Sequence, residues 1–201
     1  DQILSYGLPD DIPLMCDWNG DGVRTPGVFR NGTWLIRQSN SAGAADLTFT
    51  FGATGDKPVC GDWNGDGVET VGVMTPGSNA NTWKLRNSNS AGAADLTFTY
   101  GPKGGTPVVG DWNGDGVDTI GMVSGTVWTL RNTNTSGGAD VSFTFGAVGA
   151  TAIVGDWNGD GIDTPGNVSG TTWTLRNSNT AGGADLTFTY GVSGGKALVW
   201  R

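Results

Sequence analysis

The chain has no histidine and only two cysteines among its 201 residues, and charged residues make up just 15% of it. Without His, the usual nucleophile–base triads have no general base, and a zinc site has lost its commonest nitrogen ligand. The 11 basic residues are outnumbered by 19 acidic ones and form no cluster. That leaves no basic face for nucleic acid. No apolar run approaches the length of a membrane-spanning helix. No signal peptide is visible at Asp1, so the chain reads as a mature form or an excised segment. Long helices are disfavoured by 36 glycines. Between the glycines lie Thr, Val, Phe, Tyr and Trp, which favour strands.

What the sequence does have is repetition. The hexapeptide Asp-Trp-Asn-Gly-Asp-Gly opens at Asp17, Asp62, Asp111 and Asp156. Trp-x-(Leu/Ile)-Arg recurs at Trp34, Trp83, Trp128 and Trp173, and an Ala-Asp-(Leu/Val)-x-Phe-Thr motif at Asp46, Asp95, Asp140 and Asp185. One repeat domain over 1–201 is therefore expected, with repeats at approximately 12–56, 57–105, 106–150 and 151–195. The second repeat carries an insertion in Thr75–Asn81 that reads as a longer hairpin loop. In the third repeat, strands are expected near Pro107–Val109, Thr119–Val123, Val127–Asn132 and Asp140–Phe145. Trp128 and Leu130 alternate there with Thr129 and Arg131, and Val141, Phe143 and Phe145 with Ser142 and Thr144, so one face of each strand is apolar. Four short antiparallel strands per unit predict an all-β chain of β-propeller blades, with a β-solenoid as the alternative. Ile3–Gly7 matches the end of a fourth strand and Lys196–Trp200 a first strand. The chain thus reads either as a four-bladed ring with extra terminal strands or as part of a larger ring, completed by more sequence or by self-association through those strands.

The repeated loop has the pattern of an oxygen cage. Donors at positions 1, 3 and 5, a turn-forming glycine at 6 and a carbonyl at 7 can converge on one hard cation. The candidates are Asp17, Asn19, Asp21 and Val23; Asp62, Asn64, Asp66 and Val68; Asp111, Asn113, Asp115 and Val117; and Asp156, Asn158, Asp160 and Ile162. An all-oxygen set favours Ca2+ over zinc, and a flexible protein cage favours it over Mg2+. The loops hold eight of the aspartates, so one divalent ion in each would offset the net charge of −8. A tight polar turn would use the same residues for local reasons.

Phe51-Gly52, Pro58-Val59, Gly61 to Gly67 and Gly72-Val73, repeated along nearly the whole chain, resemble the FG-GAP repeats of integrin α-subunit propellers and the related VCBS-type repeats of secreted bacterial proteins. The resemblance implies β-propeller blades with about four calcium ions, one per loop. It also implies a secreted or cell-surface module that mediates adhesion or protein contact. The family commonly has Asp at loop position 9. Here that place is Thr25, Thr70, Thr119 or Thr164, and the Thr hydroxyl, a water or the acid one residue earlier is the candidate substitute for the missing carboxylate. Position 8 is Arg24, Glu69, Asp118 or Asp163, and the first loop, with Arg24, is expected to bind the ion least well.

Trp18, Trp63, Trp112 and Trp157, at loop position 2, fit packing between units, or alternatively a sugar-stacking platform in a lectin-like propeller. Arg37, Arg86, Arg131 and Arg176 fit structural ion pairs with the Ala-Asp aspartates. Cys16 and Cys60 precede the first two loops at nearly equivalent places, which makes a disulfide compatible with secretion but leaves its geometry open. Asn31, Asn134 and Asn167 match the glycosylation pattern. With few acids outside the repeats, a binding module is favoured over an enzyme, and a glycoside-acting site is the least favoured reading. The partner is expected to be a protein or glycan, with no membrane insertion.

Overall fold

The computed structural model describes residues 5–192 and 194–199. Each repeat forms one four-stranded antiparallel meander. The first blade comprises β1 (Ile12–Cys16), β2 (Thr25–Arg30), β3 (Thr33–Ile36) and β4 (Leu47–Thr50). The second comprises β5 (Lys57–Gly61), β6 (Thr70–Thr75), β7 (Ala80–Leu85) and β8 (Leu96–Pro102). The third has β9 (Thr106–Gly110), β10 (Thr119–Ser124), β11 (Val127–Leu130) and β12 (Val141–Thr144). The fourth has β13 (Thr151–Gly155), β14 (Thr164–Ser169), β15 (Thr172–Leu175) and β16 (Leu186–Thr189). The four sheets are arranged as a four-bladed β-propeller without helices among the described residues, as the repeat pattern predicts. The insertion in the second repeat is shorter as a loop than expected. Ala80 and Asn81 join β7 through a bulge opposite β8. The buried Asn81 amide donates to the carbonyls of Gly101 and Pro102.

Alternation along the strands sorts the side chains. Trp34, Trp83 and Trp128 are fully buried, and each indole N–H donates to a carbonyl 17 residues on, that of Phe51, Tyr100 or Phe145. The first three hydrophobic clusters each extend from one blade onto the next. Trp18, Phe29, Trp34 and Phe51 of the first blade close on Val71 and Val73 of the second. Trp83, Phe98 and Tyr100 of the second close on Ile120 and Met122 of the third. A twisted four-stranded sheet has an apolar face that it cannot cover alone, so stacking a like unit on it provides the burial.

Cys16 and Cys60 form a disulfide that joins β1 to β5. Cys16 occupies the place held by Gly61 and Gly110 in the next two blades, and Cys60 that of Val109 and Val154. A Cβ on Gly61 would lie 2.9 Å from Val109, and one on Gly110 2.9 Å from Val154. The disulfide is therefore a covalent form of a contact repeated at the later junctions.

At the N-terminal side, Ile3 and Leu4 lie outside the described residues, and Ser5–Gly7 form no strand. Gly7 nevertheless packs against Val28 as Gly52 packs against Val73 and Gly101 against Met122. Asp11 fastens this segment, accepting from Leu8 N at 2.7 Å and from Arg30 at 2.6 and 2.8 Å. The hydrogen bond from Arg30 is the main reason the Asp11 carboxyl sits below the usual carboxylate value. At the other end, Trp200 lies outside the described residues and Lys196–Val199 form no strand, although Ala197 and Val199 pack on the fourth blade. Of the glycosylation asparagines, Asn31 is exposed in the β2–β3 turn, whereas Asn167 is buried.

Two tests follow from these contacts. Replacing Cys16 and Cys60 by Ser opens a loop of 44-residue separation, and denaturant unfolding should register a loss of about 4 kcal/mol by the chain-entropy estimate. Because the folded-state pKa of Asp11 is depressed, its contribution is present above the unfolded carboxylate value and is lost as pH falls through the folded one. Asp11→Asn should therefore lower the Tm at neutral pH, and the gap from the parent protein should close in acid.

Candidate metal centre

Each loop links the first strand of a blade to the second and is built around the carboxylate at its first position. Asp62 Oδ1 accepts from Gly65 N at 2.7 Å and Asp66 N at 3.1 Å, and Oδ2 from Gly67 N at 2.7 Å. The same three bonds recur at Asp17, Asp111 and Asp156. They satisfy N–H groups that a reversing chain would otherwise leave to water. The turn also needs left-handed backbone at positions 4 and 6, and Gly65 and Gly67 supply it with φ of 74° and 86°. Burial acts to raise the Asp156 pKa, but the N–H groups of Gly161, Gly159, Asp160 and Asn158 outweigh it. The net shift is downward, which keeps this carboxylate ionised at neutral pH.

Position 5 completes the loop. Asp66 Oδ1 accepts from Val68 N at 2.9 Å, and Oδ2 from Asn64 Nδ2 at 2.9 Å. The Asn–Asp bond is 2.9 Å in the other three loops too, joining Asn19 to Asp21, Asn113 to Asp115 and Asn158 to Asp160. Val23, Val117 and Ile162 likewise donate their N–H to the position-5 carboxylate. Positions 1, 3 and 5 are thus drawn together in all four loops, with positions 3 and 5 exposed to solvent.

This donor set fits a hard cation. Each loop offers two carboxylates, an amide oxygen and a backbone carbonyl, and each carboxylate oxygen can accept more than one partner. The threonines are placed differently. Thr25, Thr70, Thr119 and Thr164 are buried, and their hydroxyls donate to backbone carbonyls. Those acceptors are Arg37 for Thr25, Gly61 for Thr70, Gly110 and Arg131 for Thr119, and Gly155 for Thr164. Their role in this geometry is to close the blade beneath the loop. Among the described residues, the one group of three thiol or carboxylate side chains within mutual reach is Cys16, Cys60 and Glu69, and its sulfurs are already joined.

Position 8 has a function that the sequence reading did not assign. Glu69 N donates to the carbonyl of Asp17 at 2.9 Å, and the Glu69 carboxylate accepts from Asp17 N at 2.6 Å. Asp118 makes the same pair of bonds to Asp62, at 2.8 and 2.9 Å, and Asp163 to Asp111, at 2.7 and 3.0 Å. The eighth residue of the second, third and fourth loops therefore clamps the first residue of the preceding loop. Arg24, in the first blade, instead pairs with Glu69. Asn89 strengthens the joint by donating to the carbonyls of Trp18 and Glu69, and Asn179 does so to those of Trp112 and Asp163. These asparagines were legible only as a residue recurring three places after the repeated Arg. The loops converge on one end of the propeller around a depression of about 290 Å³, where Asp17, Asp62 and Asp111 meet Arg24, Glu69 and Asp118.

Other candidate residues are structural. Trp18, Trp63 and Trp112 are buried, so their faces cannot stack on a sugar, and only Trp157 is partly open. Arg37 and Arg131 pair with Asp46 and Asp140 at 3.0 Å. Arg86 and Arg176 are instead held by loop carbonyls such as those of Ser90 and Thr180, while Asp95 and Asp185 accept from Asn87 N and Asn177 N.

Asp118→Ala removes the acceptor for Asp62 N at a partly buried joint. Chemical denaturation should show a loss of about 1.5–3 kcal/mol, the range for a hydrogen bond to a charged group. An unchanged midpoint would mean that the clamp is not a determinant of stability. Comparison of the chain with family models, curated proteins and solved structures finds no match, so the reading of the loops rests on their own geometry and chemistry.

Proposed function

We propose that this protein is a calcium-stabilised β-propeller module that serves as an interaction scaffold on a secreted or cell-surface protein. The observation that carries the reading is the fourfold recurrence of a loop in which the position-1 carboxylate gathers the backbone N–H groups of positions 4, 5 and 6 and the position-3 amide meets the position-5 carboxylate. Asp62, Asn64, Asp66 and the Val68 carbonyl, with their counterparts in the other loops, would hold the ion. When bound, Ca2+ supplies positive charge between two carboxylates that otherwise repel each other. Support for a structural role comes from the same aspartate. Its side chain frames the loop while its backbone N–H and carbonyl receive the clamp of the next blade. An ion that fixes the loop also fixes the joint. The Cys16–Cys60 disulfide supports an oxidising, extracellular setting. The scaffold role rests on the propeller form, with protein or glycan as the partner. With Trp18, Trp63 and Trp112 buried, the loop tryptophans do not favour the lectin reading.

Calorimetric titration tests the metal. The protein should take up to four Ca2+ ions, and excess Ca2+ should raise the Tm, since an ion bound only by the folded form stabilises it by about 2.7 kcal/mol at one hundred times the Kd. Asp66→Ala should abolish one binding event. Asp21→Ala should abolish the weakest, because Arg24 lines the depression beside Asp17. A melting curve insensitive to both Ca2+ and a chelator would reject the proposal.

A further inference from the structure

The three blade–blade junctions share one chemistry, and the fourth blade presents half of it with only the segment holding Ala197 and Val199, and no neighbouring sheet among the described residues, on the other side. Phe98 and Tyr100 of the second blade are 9% and 4% exposed, and Phe143 and Phe145 of the third 7% and 5%. Their counterparts Phe188 and Tyr190 are 38% and 64% exposed, and Leu186 is 52% exposed. The glycines agree. A Cβ at Gly101 would strike Met122, one at Gly110 would strike Asp163 and Val154, and one at Gly114 would meet Ile162. At Gly191 and Gly159 a Cβ would meet nothing, and at Gly155 the nearest atoms belong to Trp157 of the same blade. Among the described residues no clamp reaches Asp156 of the kind that Glu69, Asp118 and Asp163 make to Asp17, Asp62 and Asp111. A groove of about 310 Å³ runs along this face, lined by Trp173, Tyr190 and Leu198.

The first blade cannot be the unit that closes it. Its own outer side is already covered, since Gly7 lies against Val28, which is buried. Its loop also carries Arg24 where the clamp needs a carboxylate to accept an N–H. A second copy meets the same two obstacles if it approaches by its first blade. The array therefore has a polarity, with a capped first blade and a receiving fourth blade.

We infer that the fourth blade is a docking face for a further blade of this repeat type, one carrying an acidic residue at loop position 8. The incoming unit covers Leu186, Phe188 and Tyr190 with an apolar second strand, as Val71 and Val73 cover the first blade. Its acidic residue accepts from Asp156 N while its own N–H donates to the Asp156 carbonyl. The joint is defined by protein groups alone and does not depend on an ion in the loops.

Thiol labelling of Tyr190→Cys tests this. In the 201-residue protein the new thiol should react freely and light scattering should show a monomer, whereas Tyr100→Cys should be protected. In a protein extended at its C-terminus by a second copy of residues 151–195, Tyr190→Cys should become protected and the Tm should rise by roughly 2–4 °C or more, the shift expected for each kcal/mol in a chain of this size. The extension with Arg in place of the copied Asp163 should protect less. Protection already present in the 201-residue protein, or a dimer that shields the face, would overturn the inference. So would a thiol that stays reactive beside the extension, including one that fails to fold there, because the open face is what should order that unit.

Discussion

The fold depends on the burial of each blade's apolar face against the next blade. Trp34, Trp83 and Trp128 are shielded because a neighbouring sheet closes over their surroundings, and each cluster draws side chains from two blades. Short sheets of this kind gain little from their own hydrogen bonds, since water satisfies the same groups in the unfolded chain. Their stability comes from apolar area removed at the junctions, and what aligns those junctions governs the rest.

That alignment is polar. The aspartate that opens each loop is used twice: its carboxylate organises the turn, and its backbone receives the clamp from the next unit. Glu69, Asp118 and Asp163 bring a charge into partly buried surroundings, and the N–H groups they meet offset the desolvation. At the first junction, where Arg24 also pairs with the clamping Glu69, the chain adds a disulfide at the same level. A cation held by the loops would act on this framework by restraining the residue on which the joint turns.

Much of this was legible in the sequence. Alternation in Val141–Phe145 and the spacing of the Trp and Asp motifs predict strands, their faces and their number per unit. Asp-Trp-Asn-Gly-Asp-Gly predicts a tight polar loop, and the carboxylates at positions 1 and 5 do organise one by accepting from its N–H groups. Less legible was the use of each residue. The position-8 acids read as spare ligands and instead bridge blades, and the position-9 threonines turn into the blade. Asn89 and Asn179 carry no signal beyond their recurrence, because an asparagine in a serine-rich turn has many local uses.

The sequence by itself determined the repeat, the strand period and the local turn chemistry, since these depend on residues a few places apart. Tertiary structure decided the partners: Asp17 with Glu69 across 52 residues, Cys16 with Cys60 across 44, and an uncovered Tyr190 where Tyr100 is buried. Identical motifs cannot encode that last difference. Tyr100 and Tyr190 both close the local sequence Leu-Thr-Phe-Thr-Tyr, and a neighbouring blade covers the first and not the second.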